Sequence, residues 1–206
     1  MNMDKDIKSK NSFKQSPLAI IGIGCLFPKA GDLDAYWANI TNRVDAITGV
    51  PKTHWRAEDY CAKDSPAPES ISASRGGFIS PVQFNPMEFG IPPNAIEAID
   101  TSQLLALVVT QQALKDAGYG PDRDFDRDRV SVVLGVTGTL ELVLPLGARL
   151  GHPIWRKCLK DSGVEDSVAE DAVKRISDSY VSWQENSFPG LLGNVVAGRV
   201  AKTFNL

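Results

Sequence analysis

Gly22-Ile23-Gly24 closes an apolar run, and a glycine turn of that kind lets a backbone approach a pyrophosphate. A dinucleotide fingerprint then needs glycine at position 27, where the chain has Phe27; Pro28 follows and would break the helix that should already have begun. No G-x-x-x-x-G-K-[ST] occurs, so phosphate-loop chemistry is unsupported. Cys25 leaves the same run and is the most tempting nucleophile. No basic residue adjoins it to lower its pKa, and it reads as core. The two histidines, His54 in P-K-T-H-W and His152 in L-G-H-P-I-W, lie near neither a motif serine nor each other. Nucleophile–base pairs and histidine metal sites are therefore hard to assemble, and structural roles are expected for both. Cys25, Cys61 and Cys158 form no C-x-x-C pair and read as free thiols. The run P-D-R-D-F-D-R-D-R lacks calcium-loop spacing and reads as a solvated loop with local ion pairs. Taken by themselves, these residues yield no catalytic, cofactor-binding or metal-ligating residue.

The elements that would carry any site are clearer. The chain has 206 residues, 43% hydrophobic and 23% charged, which is ordinary globular composition with enough length for one sizeable core. A formal net charge of −3 argues against a nucleic-acid binder. Residues 1–16 read as a flexible polar tail without a signal-peptide core, and no later run is long enough to span a bilayer. A soluble, cytoplasmic protein is expected. Leu18–Gly24 and Val130–Val136 are apolar and rich in β-branched residues, which predicts two buried strands of one parallel α/β layer. Asp32–Arg43 predicts a short amphipathic helix. Ile47–Pro93 reads as a loop-rich surface excursion with a brief strand near Gly77–Ile79. The clearest helix follows Asp100, which is expected to cap the Gln103 amide while Gln103 reaches back, and ends at Gly118. Asp166–Gln184 and Leu191–Phe204 predict two more helices. Two strands are too few for a doubly wound sheet, so the fold reads as unfinished.

Several separated strings together resemble one family, the β-ketoacyl synthases (ketosynthases) of polyketide and multidomain fatty-acid synthases. They are P-L-A-I-I-G-I-G-C-L-F-P-K-A with L-D-A-Y-W, V-P-K-T-H-W, S-R-G-G-F-I, F-N-P-M-E-F-G-I-P-P-N-A-I-E-A-I-D-T-S-Q-L-L-A-L ending in L-K-D-A-G-Y, V-V-L-G-V-T-G-T, and G-N-V-V-A-G-R-V-A. Where many modular members have D-P-Q-Q-R, this chain has Asp100, Thr101, Ser102, Gln103 and Leu104. F-N-P-M-E-F-G and the stretch Leu140–Gly190 look closer to synthases of polyunsaturated fatty acids and heterocyst-type glycolipids.

The resemblance implies an incomplete thiolase-like α/β fold, the N-terminal half of its first layer, over residues 17–206. It implies decarboxylative condensation of acyl and malonyl thioesters on an acyl carrier protein, with a second ketosynthase protomer as the other partner and no cofactor. The family's nucleophilic cysteine follows the G-N-x-V-A-G-R string by about a dozen residues, and its histidines lie further on. By that transfer the chain stops short of all of them and is expected to be inactive alone. Thr137, Gly138, Asn194, Ala197 and Gly198 would flank the acyl pocket and dimer interface of a whole domain, although small residues there also suit plain packing. Three readings follow: part of a condensing enzyme; a non-catalytic dimerisation, carrier-docking or split half-domain; or, disfavoured by R-G-G-F-I and F-G-I-P, a thiolase-fold enzyme acting on coenzyme A thioesters. An open layer would also leave apolar surface uncovered, so the isolated chain is expected to be marginally stable or to aggregate.

Overall fold

A computed structural model describes residues 17–60, 71, 73–120, 123–138 and 141–206. The expected tail and Cys61 lie outside the described residues. Helix α1 (Leu33–Thr41) starts where Asp32 accepts a hydrogen bond from the Ala35 amide at 2.8 Å. Strands β1 (Ile47–Gly49) and β2 (Arg75–Gly77) form an antiparallel ribbon in the register Ile47 to Gly77, with the one-turn helix α2 (Ala57–Tyr60) between them. Two 3-10 turns, Pro86–Phe89 and Pro93–Ala98, lead into helix α3 (Thr101–Asp116). Gly118 follows it at φ 74°, the left-handed stop expected from the sequence. Helices α4 (Val143–Asp161) and α5 (Asp166–Asp178) pair as a hairpin, followed by α6 (Ser187–Leu191) and α7 (Val195–Phe204).

The core gathers where α3 crosses α7. Leu107 and Val200 are fully buried there with Phe89, Ile91, Ala95 and Ile99, and Leu104, Val108 and Phe204 pack against them. Phe89 stacks on Phe84 at 5.0 Å and meets the Phe204 ring edge-on at 6.3 Å. The end of the expected surface excursion is thus core, because the 3-10 turns fold Phe89 and Ile91 inward. A satellite cluster lies under the α4–α5 hairpin, where Ala169 and Val173 are buried and Arg156 reaches Glu170 at 2.7 Å.

Several local expectations are corrected. Leu18–Gly24 and Val130–Val136 are not buried strands: neither is paired, Leu18 is 98% exposed and Val133 88%. A strand needs a ladder partner, and these two runs do not pair with each other. They lie against α3, where the Ile23 amide donates to Asp116 at 2.8 Å and the Cys25 amide to Gln112 at 3.0 Å. Helix α4 has no counterpart in the sequence reading; Gly147, Gly151 and Pro153 weaken its intrinsic propensity, and it forms packed against α5 while Leu144, Leu150 and Ile154 stay exposed. Helix α5 ends at Asp178, so Tyr180 and Trp183 fall beyond it, and the last predicted helix divides at Leu192–Asn194. In the charged loop, Arg123 stacks over Tyr119 at 4.3 Å and Arg127 over Phe125 at 4.1 Å. Among the described residues no ion pair joins its charges, because a solvated pair gains little while a guanidinium plane suits an aromatic face.

Candidate functional site

Polar groups converge at the N-terminus of α3. Asp100 is buried; its carboxylate accepts from the Ser102 amide at 2.9 Å and hydroxyl at 2.6 Å, and its own amide donates to the Gly190 carbonyl at 3.0 Å. The Thr101 amide and hydroxyl donate to the Glu141 carboxylate, the amide at 3.2 Å, so two acids satisfy the free donors of this helix end.

Gln103 does not complete a local capping box. Its side chain turns inward, is 0% exposed, and donates from Nε2 to the carbonyls of Gly190 at 2.7 Å, Pro189 at 3.0 Å and Leu192 at 3.3 Å. Its Oε1 accepts from Arg199 Nε of α7 at 2.7 Å. Each carbonyl of the α6–α7 turn accepts one backbone amide and has a second lone pair free, which the buried Gln103 amide serves in place of a bond back to its own backbone. Burial lowers the Arg199 pKa. Gly190 completes the clamp: a Cβ there would lie 1.7 Å from the Ala98 carbonyl oxygen.

The clamp fixes the turn that carries three of the five residues singled out in the sequence. Asn194 begins α7 without a side-chain cap and is exposed, Ala197 is half-buried, and Gly198 is exposed with open space around it. Thr137 and Gly138 are exposed beyond the second apolar run, with Gly138 at φ 77°. Sequence reasoning missed Gln103, Gly190, Glu141 and Arg199. Gln103 and Arg199 stood within the quoted strings, but nothing in their spacing announces an interaction across 96 residues.

Of the residues weighed for chemistry, Cys25 is buried, and burial followed by the nearby Asp32 carboxylate pushes its thiol up, which suits a core residue. His54 lies edge-on to Phe78 at 5.0 Å, on the rim of an apolar cavity of about 500 Å³ that Leu104, Leu105 and Val108 also line. His152 sits against Trp155, and its Nε2 is buried without a partner among the described residues. Cys158 is exposed on α4. Among the described residues no three His, Cys, Asp or Glu side chains converge as metal ligands, and no helix is long and apolar enough to cross a membrane. A second, open groove of about 710 Å³ lies along α3, between the two apolar runs.

Comparison with known proteins gives this arrangement a context. The sequence profile of the family described as "Beta-ketoacyl synthase, N-terminal domain" matches residues 15–206. One chain of the polyunsaturated fatty acid synthase of Thraustochytrium sp. is 29% identical over 95% of this chain, which spans 7% of that protein. One chain of the phenolphthiocerol/phthiocerol polyketide synthase of Mycobacterium tuberculosis is 33% identical over 70% of this chain and 7% of its own length. Among solved structures, a ketosynthase domain of the oxazolomycin system of Streptomyces albus matches with a TM-score of 0.58 and 24% identity, over 91% of this chain and 27% of that one.

Proposed function

The chain belongs to the β-ketoacyl synthase family, as its N-terminal domain, and from that membership we propose that it is part of a ketosynthase performing decarboxylative condensation. Its fold is an incomplete thiolase-like one. In this reading an acyl group passes from an acyl carrier protein to a cysteine thiolate and the carrier thiol leaves. A malonyl thioester then loses carbon dioxide, and the resulting enolate attacks the acyl carbonyl and expels the cysteine. Covalent capture divides a hard step in two, and hydrogen-bond donors at the thioester oxygens stabilise the developing charge. In this reading the nucleophile and those donors are supplied by other residues of the domain, and the 206-residue chain by itself is expected to be inactive. What this chain contributes is scaffold: the clamp of Gln103 and Arg199 holds the α6–α7 turn, and Thr137, Gly138, Asn194, Ala197 and Gly198 flank the acyl pocket and the contact with a second protomer. The reading places the protein in the cytoplasm with an acyl carrier protein as partner.

The observation that carries this is the unbroken family match over residues 15–206. The test is carbon dioxide release from malonyl-loaded carrier protein, measured for the 206-residue chain and for the full reading frame that contains it. Release by the full product alone is expected; no release and no condensation product from either would refute the reading. A second reading, a half-domain that assembles with a separate chain, is favoured by one observation: the two apolar runs beside α3 are unpaired and open.

A further inference from the structure

Where strand β2 runs out toward α3, the chain leaves a hollow of about 500 Å³. Phe78, Ile79 and Val82 form one side of it; Leu104, Leu105 and Val108, from the first turns of α3, form the other. No aspartate, glutamate, lysine or arginine lines it. Close packing leaves few voids larger than a water molecule, and an apolar hollow of this size falls in the range of small-molecule sites. Three exposed polar side chains stand at its rim: His54, Ser80 and Thr101. The Thr101 hydroxyl is committed to Glu141. His54 lies edge-on to Phe78 with Nδ1 3.4 Å from the Thr53 hydroxyl, and its Nε2, like the Ser80 hydroxyl, has no hydrogen-bond partner among the described residues. Leu104 keeps the α3 wall uncharged. It occupies the place of the arginine in D-P-Q-Q-R, and an arginine there would carry a longer, permanently charged side chain along the same wall.

Walls of this kind select the ligand. A nucleotide, a sugar or a coenzyme A thioester carries more charges and hydroxyls than His54 and Ser80 can serve, and each polar group buried without a partner costs binding energy. A hydrocarbon chain ending in one carboxyl group matches both the apolar walls and the small polar rim. We propose that this hollow binds a free fatty acid, with the tail between the β2 exit and α3 and the carboxylate at His54 and Ser80. The site is separate from the acyl pocket of the condensing reading: none of Thr137, Gly138, Asn194, Ala197 and Gly198 lines it. The ligand is held without a covalent bond, joins the ribbon to α3, and stabilises the folded protein by mass action.

The test uses the full reading-frame product that contains this chain and a dodecanoic acid analogue with a diazirine at its tail, photolysed and mapped by mass spectrometry. Saturable labelling is expected on residues 77–84 and 101–108, competed by unmodified dodecanoic acid. Across the series from octanoic acid upward, competition should strengthen about fourfold per added methylene until the chain outgrows the hollow, then level off. The methyl ester of dodecanoic acid, without a charged head, should compete at least about tenfold more weakly than the acid. Leu104→Arg should abolish labelling of these two segments while leaving any other labelled peptide unchanged. Because Leu104 also packs against the core, Leu105→Trp serves as a second filling variant with the same expected result, and the map of the unmutated protein decides if neither variant folds. The proposal is overturned by labelling confined to other segments, by labelling that does not saturate, by equal competition from acid and ester, or by full labelling of both folded variants. Labelling of 77–84 and 101–108 in a product that releases no carbon dioxide would refute the condensing reading and keep the fatty-acid site. Carbon dioxide release without that labelling would do the reverse.

Discussion

Replacing Gln103 by leucine keeps the side chain's approximate size and removes all of its polar contacts. Nε2 has two hydrogens for three carbonyls, so it makes at most two full bonds, each worth about 1 kcal/mol. The bond from Arg199 at 2.7 Å is charge-assisted and adds about 1.5–3 kcal/mol. The variant also leaves the carbonyls of Pro189, Gly190 and Leu192 with only their backbone donors around a side chain that is 0% exposed, and it strips Arg199 Nε of its acceptor. The expected loss is about 3–5 kcal/mol, a large share of the ~5–15 kcal/mol that holds a typical domain together. Urea unfolding of Gln103→Leu, Arg199→Met and the double variant forms a cycle. If the clamp acts as one unit, the double variant costs at least about 1.5 kcal/mol less than the sum of the singles. Additivity within about 0.5 kcal/mol, or a Gln103→Leu loss under about 1 kcal/mol, would refute the clamp as a coupled device.

Gly190→Ala should prevent folding or cost more than about 3 kcal/mol, because the clash is with backbone, whereas Gly198→Ala should stabilise by about 0.5–1 kcal/mol in open space; parallel denaturation curves separate them. His152→Leu removes a buried nitrogen without a partner and should be neutral or stabilising by about 1 kcal/mol, read as a melting shift. The Glu170 carboxyl is held below the usual glutamate range, first by the hydrogen bond from Arg156 and then by the charges of Arg156 and Lys160. Since its folded pKa is depressed, its contribution is present at neutral pH and is lost as pH falls through that folded value. Titration by NMR should show it ionising below the usual glutamate range, and Arg156→Met should move it upward. The isolated chain should bind a hydrophobic dye strongly through its open runs; a cooperative, high-melting monomer that binds none would contradict the exposed face.

Local chemistry made part of the structure legible. The helix that begins after Asp32, the α3 helix with its Gly118 stop, and the family strings all depend on neighbours within a few residues, and sequence spacing reports such neighbours well. The site was harder to see because its links are distant: Gln103 serves carbonyls more than 80 residues away, and its place in D-x-x-Q suggested a local capping bond. The two apolar runs show the opposite failure. Their composition suits strands, but composition cannot supply a ladder partner, and pairing is decided by what else is present. Helix α4 went unseen because its glycines and proline weaken intrinsic propensity, which packing against α5 overrides.

The anchoring of the first run to α3 also sets a clock on the ribosome. Ile23 waits for Asp116, its hydrogen-bond acceptor 93 residues later. At ~5–20 residues per second, that interval is on the order of 5 to 20 seconds, longer than an exposed apolar stretch needs to meet a chaperone or a neighbouring nascent chain. Leu18–Ile23 is therefore the segment on which translation speed and ribosome-associated holdases should act most strongly, and slowing synthesis between it and α3 should lower the yield of folded product.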